Sequence, residues 1–567
     1  MFRAMELKAI SVLRWFFDSR YGASRYLLAR WFFLRAIGVI YFSAFLPLVF
    51  QIRGLIGPDG ILPAGNYLQA LTNSVGFARF WYAPTLLWFS GSSRMLMALC
   101  WVGLLAAVLL VLNIWPRGML LICWICFVSF VTAASEFSSY QSDGMLLEAG
   151  FLSLFLAPAG FRPGLGRTHS PMRAAMFLLL WEWFRIYFES GVAKIAGGDP
   201  EWRNFTAMDD YYQNGPLPTW IGWYVEHLPH WFHAATAFGT LALELVLVWV
   251  MFLPRRVRII CFFIVTPWQI GGILTANYTF LNYLVLCLGI FLLDDKFLLR
   301  FASERWKSRI ALALDGGVPA PKTDAPFESA SLLETSGVGA TGGSDSNSRF
   351  RVADLKPYWS GLKLGMTAVI LSWLFYASTT PMLWMIFPGS ILRELAQSWT
   401  VAALEPFRVA ERYGLFARMT RGRYEIEFQG SSDGVTWVSY PFRFKPQDPA
   451  KAPGIYAPYQ PRFEWNLWFA SLGTWHDNPF VPRTEMRILQ GSPQVLSLFA
   501  ANPFPQGPPK QVRAILWQYW FSTRQEKRTQ GVWWRREYLG VYAPTLEREP
   551  DGRIIAVDWP PELPPHE

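Results

Sequence analysis

Charge and cysteine are both scarce in this chain. Asp, Glu, Lys and Arg together make up 16% of its 567 residues, against about a quarter in a soluble globular protein, so an ordinary soluble fold is excluded. All five cysteines, Cys100, Cys123, Cys126, Cys261 and Cys287, lie in hydrophobic runs. Everything after Cys287 therefore has neither disulfide nor thiol chemistry. Cys123 and Cys126 form a CxxC, but in mid-membrane they lack water and a partner pair, and they read as small buried hydrophobes. A P-loop, a dinucleotide fingerprint and a Ser-His-Asp arrangement are also missing. His476 beside Asp477 reads as part of a turn. His227, His230 and His233 recur every three residues, but Pro229 interrupts the helix that would align them, and Asp199, Glu201, Asp209 and Asp210 lack the ligand spacing of a calcium loop. No metal site and no cofactor is expected.

What the chain does have is apolar length: 52% of it is hydrophobic and 17% aromatic. At roughly 20 apolar residues per crossing, the runs 27–50, 95–112, 119–134, 145–158, 172–195, 231–253, 257–275, 281–293 and 362–387 predict about nine transmembrane helices. The fourth and eighth are short. Residues 76–89, broken by Pro84, read as a re-entrant or interfacial segment, and 27–50 is too long for a signal peptide. The formal charge of +10 sits in Lys and Arg clusters beside these runs, which points to anionic lipid rather than nucleic acid.

Basic residues are retained on the cytoplasmic side. Arg14, Arg20, Arg25 and Arg30 hold the amino terminus inside, and Arg117, Arg162, Arg167, Arg173, Arg255, Arg256 and Arg300 then fall in inside connections. The outside loop 135–144 holds Glu136 and Asp143 and no basic residue. The expected organisation is a basic cytoplasmic amino terminus (1–26), a transmembrane bundle (27–310), a disordered cytoplasmic linker rich in Gly, Ser, Ala, Pro and Thr (311–348), a final anchor with its approach (349–387) and an exported α+β domain (388–567). In that domain 423–429 alternates as a strand, 431–434 supplies a turn and 435–444 continues as a strand. Residues 463–473, 484–500 (with a break at Pro493) and 510–521 read as helical.

Two groups of residues are singled out. Glu148, Glu182, Arg185, Glu189, Lys194 and Glu244 lie inside apolar runs, where each costs at least about 2.5 kcal/mol at a lipid-facing helix centre. They read either as an ion-pair network that fixes packing or as a polar cavity for a lipid, an ion or a proton-coupled reaction. Trp465, Trp468, Phe469, Trp475 and Phe480 crowd one short stretch of the exported domain, where they either fill a core or form a contact surface.

The strings YQSDGMLLEAGFLSLFLAP (140–158), ESGVAKI (189–195), DPEWRNFTAM (199–208), QIGGILTANYTFLNYL (269–284), YGLFARMTRGRYEIEFQGSSDG (413–434) and the 489–522 segment resemble, in order, the lipase maturation factor family. The resemblance implies a membrane-bound, chaperone-like maturation factor that is not itself an enzyme and assists immature secreted clients, lipases among them. In animals such proteins reside in the endoplasmic reticulum. The ending PPELPPHE and the absence of exported cysteine point to a bacterial inner-membrane member. The partners implied are the bilayer and the client, whose contact candidates are Trp465, Trp468, Phe469, Trp475 and Phe480. On layout alone the bundle also resembles the membrane domain of vitamin K-dependent carboxylases, which implies the alternative of a membrane enzyme or lipid-binding protein whose cavity is lined by the Glu182, Arg185 and Glu189 face.

Overall fold

The chain is described from a computed structural model covering residues 2–304, 307–308 and 352–561. The expected linker 311–348 lies outside the described residues. An amino-terminal helix, α1 (Phe2–Phe17), precedes α2 (Leu27–Ile56), α3 (Ala64–Val75), α4 (Ser93–Val111), α5 (Pro116–Ala133), α6 (Gln141–Leu156), α7 (Arg173–Ala196), α8 (His230–Leu245), α9 (Arg255–Thr275), α10 (Leu281–Gly289) and α11 (Val352–Ile386). Helices form at all nine expected spans, and among the described residues six are long and apolar enough to cross a membrane: α2, α4, α5, α8 with its 3-10 continuation, α9 and α11. Six of the nine expected crossings thus meet that criterion of length and composition, and the other three spans do not. α6 has 16 residues, about 24 Å at 1.5 Å per residue; α10 is shorter; α7 is long enough but carries Glu182, Arg185, Glu189 and Lys194.

α6 and α7 form the middle of the bundle, and their side chains are buried almost all round. Close approach makes this possible. A Cβ on Gly150 of α6 would fall 1.9 Å from the Tyr41 hydroxyl of α2, so only glycine lets those two helices meet there.

One end of the bundle is closed by basic residues and caps. The Asp295 carboxylate accepts the first N–H groups of α2, from Leu27 at 2.8 Å, Leu28 at 3.0 Å and Ala29 at 3.1 Å, the donors that a helix start leaves unpaired. Buried Arg30 donates to the carbonyls of Leu165 and Gly166, and Arg255 pairs with Asp294.

The carboxy-terminal domain sits on the other end and is docked onto it rather than hung from α11. Its sheet runs β2 (Val438–Ser439), β1 (Arg423–Ser431), β3 (Gln511–Phe521), β5 (Thr545–Arg548), β6 (Ile554–Asp558), and β4 (Trp534–Val541) also pairs with β3. β1 and β3 are antiparallel along their length, with Ile426 opposite Leu516. Helices α12 (Arg462–Ser471) and α13 (Phe480–Leu489) cover one face, and Phe428, Phe463 and Phe499 meet between them.

The expected helix over 510–521 is corrected to the central strand β3. QVRAILWQYWF buries Val512, Ala514, Ile515, Leu516, Tyr519 and Phe521, and its aromatic and β-branched content suits a strand covered on both faces. The expected strand over 435–444 shrinks to Val438–Ser439, because Pro441 removes a ladder donor.

Candidate functional site

The buried charges of α6 and α7 converge on a single extended stretch of the carboxy-terminal domain, residues 411–420. Glu148 forms an ion pair with Arg185 and accepts the Glu411 N–H at 3.1 Å and the Tyr413 hydroxyl at 2.9 Å. Arg185 donates to the Glu411 carbonyl at 2.7 Å, and Glu189 accepts the Tyr413 N–H at 2.7 Å. Next to Glu189, Ser190 accepts the Leu415 N–H at 3.2 Å, and one turn further along α7 Lys194 donates to the Leu415 carbonyl and to both Glu244 oxygens, each at 2.9 Å. The stretch continues past Trp202, whose indole N–H donates to the Phe416 carbonyl at 2.9 Å, and Asp199, which accepts the Met419 N–H at 2.7 Å.

Physically this is a track for a backbone strap. Carboxylates take its N–H groups and cations take its carbonyls, so the charges and the irregular backbone satisfy each other where water is excluded. Five of the six expected polar residues, Glu148, Arg185, Glu189, Lys194 and Glu244, belong to this network. The sixth, Glu182, is fully buried, and neither of its oxygens makes a hydrogen bond of good geometry. The face expected to line a cavity is thus occupied by the protein's own strap at Glu148, Arg185 and Glu189, whereas Lys194 and Glu244 also border a cavity of about 510 Å³ between α7, α8, α9 and α10.

The aromatic segment lies at the same junction. Trp465, Trp468 and Phe480 are buried: Trp465 packs edge-on to Tyr140 and Tyr278, and Phe480 on Phe137. Phe469 stacks on Tyr140 yet stays 46% exposed, and half-buried Trp475 lies 6.0 Å from exposed Trp559. Of the five, Phe469 and Trp475 are the least buried.

Three polar staples were missed by sequence reasoning. Arg462 and Asp143, both fully buried, form a two-pronged ion pair at 2.6 and 2.8 Å, and Arg462 also donates to the Phe137 carbonyl. Asn277 accepts the N–H groups of Tyr456 and Ala457 and donates to the carbonyls of Leu217 and Gly454. Arg423 reaches the carbonyls of Gln213 and Pro216. A signal existed for Asn277, an amide within ILTANYTFL, and for Arg462 beside an aromatic run, whereas Arg423 in TRGRYEIE and Asp143 in YQSDG stand among other polar residues. Within the docked domain, buried Glu464 accepts three N–H groups, from Arg443, Phe444 and Lys445, while burial pushes its carboxyl above the ordinary range.

A multi-span membrane bundle clamped to a small α+β domain by buried charge is the class of protein this architecture defines. The family described as lipase maturation factor transmembrane domain matches residues 28–300, and the lipase maturation factor C-terminal domain matches 409–544. Lipase maturation factor 1 of Bos taurus is 31% identical over 561 residues, covering 96% of this chain and 93% of that protein. Lipase maturation factor 2 of Homo sapiens is 30% identical, covering 92% and 82%, and that of Gallus gallus 30%, covering 91% and 80%. No solved structure matches. The chain belongs to the lipase maturation factor family. The second matched region opens at the strap and ends after β4, so it contains the strap, most of the sheet, α12 and α13.

Proposed function

We propose that this protein is a membrane maturation factor that helps secreted proteins, lipases among them, reach their active fold through its carboxy-terminal domain, and that it does so by binding rather than by catalysing a reaction. The observation that carries this reading is the outward edge of the docked sheet. β6 pairs only with β5 among the described strands. Ile555 and Val557 alternate along it as exposed side chains, and exposed Trp559, just past its end, lies next to Trp475. An unpaired edge with an apolar face is suited to an extended, unfinished client segment, which adds main-chain hydrogen bonds and buries its own apolar residues. The basic residues gather at the opposite end of the bundle, and on the retention of positive charge that end is cytoplasmic and the domain is exported. The family's named relatives act, by name, on lipases.

The test is a deletion strain compared with its parent. The specific activity of secreted lipase is expected to fall at unchanged transcript level, with particular exported proteins lost. Trp475→Ser combined with Trp559→Ser is expected to reproduce that loss without lowering the amount of membrane-inserted protein. An unchanged exported proteome with an altered lipid composition would instead support the membrane-enzyme reading.

A further inference from the structure

The cavity of about 510 Å³ beyond the Lys194–Glu244 pair falls within the range of small-molecule sites, about 300–1,000 Å³. Its walls are mostly apolar or aromatic, among them Ile186, Phe232, Ile264, Trp268 and Val285. It lies between the two spans least buried in the protein, α8 and α9. These two helices meet where the Trp268 ring covers Gly239, and α9 also packs on the 3-10 continuation of α8 at residues 247–252. Ile264, Pro267 and Gly271 line the cavity and are also exposed on the outer surface of α9, so its mouth faces the bilayer sideways.

The polar groups at its inner wall fall into two sets. Lys194 is saturated by three acceptors and offers little to a ligand. Gln269 and Asn282 are different. Gln269 is buried and uses one end of its amide on the Tyr187 hydroxyl at 2.7 Å, leaving the other end without a partner. Asn282, equally buried, also has an unpartnered amide oxygen and lies against Gly272, where a Cβ would meet its amide nitrogen at 2.6 Å. Gln269 and Gly272 are three residues apart on one face of α9, so both amides serve the same end of the cavity. Unpaired buried amides are costly, and a hydroxyl satisfies either end of an amide because it both donates and accepts.

We infer that this cavity binds a single-chain, hydroxyl-bearing membrane amphiphile, which enters between α8 and α9, lays its chain along the aromatic wall and donates its hydroxyl proton to one of the two free amide oxygens, of Gln269 or of Asn282. This site is separate from the client edge and stands independently of it.

The test uses the full-length protein in lipid nanodiscs with a photoreactive long-chain alcohol as probe and its methyl ether as control. The alcohol is expected to label α8 and α9 at the cavity at least fivefold more than the ether does, and unlabelled alcohol is expected to compete. Thr240→Trp, which fills the cavity, is expected to cut labelling at least fivefold, whereas Thr240→Ser leaves it unchanged. Gln269→Leu with Asn282→Leu is expected to erase the preference for the alcohol while chain labelling persists. Equal labelling by alcohol and ether in the unmodified protein, spread over α4 as densely as over α8 and α9, would overturn the proposal as annular lipid only. That comparison needs no variant to fold.

Discussion

Arg462 and Asp143 show what a single buried pair does in this protein. Both are wholly out of water and two hydrogen bonds join them. Removing one partner leaves an uncompensated charge, at about 3–5 kcal/mol, so Arg462→Met is expected to lower the melting temperature of the detergent-purified protein and to open the junction to limited proteolysis. Adding Asp143→Leu to it is expected to recover much of that loss. Tyr413→Phe removes one donor to Glu148 and is expected to cost about 1–3 kcal/mol in the same melting assay. The charged candidates on α7 were legible in the sequence because ionisable residues in an apolar run are too costly to be idle. Their partners were not legible. They are largely backbone N–H and carbonyl groups of residues 411–420, which any sequence carries, and only the fold brings them to α7.

Helices α12 and α13 carry the junction, and the aromatic segment belongs largely to them. Phe480 is buried against Phe137, and Phe480→Ala is expected to cost about 3–5 kcal/mol, read as earlier thermal release of the domain. The turn after β1 depends on Asp433, which accepts the N–H groups of Val435 and Thr436 at 2.8 and 2.7 Å; these bonds hold its carboxyl well below the usual range. A lowered folded-state value means the stabilisation is present above the ordinary carboxylate range and is lost as pH falls through the folded-state value. Asp433→Ala is expected to remove that acid sensitivity in amide exchange at 433–436. At this scale α12 was legible from its periodicity and β1 from its alternation. β3 was not: covered on both faces, it shows a nearly continuous apolar run that a helix also shows, and pairing with β1 decides the matter.

Across the whole molecule, the two ends of the bundle divide the labour: one gathers basic residues and helix caps, the other carries the domain. The sequence leads to that opposition only through charge taken together with an odd number of crossings. That the domain is clamped on the bundle rather than tethered was not legible, because docking depends on contacts between residues hundreds of positions apart, such as Gln51 with Gln460. All five native cysteines are buried, so Gln506→Cys in an exposed loop is expected to react alone with a membrane-impermeant maleimide added to intact cells from outside. The central claim is that the docked domain's edge receives an unfinished client. It is tested most directly by placing benzoylphenylalanine at Trp559, at buried Trp468 or at Trp359 near the start of α11, and irradiating cells during synthesis of a secreted lipase. The account predicts a crosslink to newly made, inactive lipase from position 559 and none from 468 or 359. Crosslinks of equal yield from all three, or none from 559 while lipase activity still depends on the protein, would contradict it.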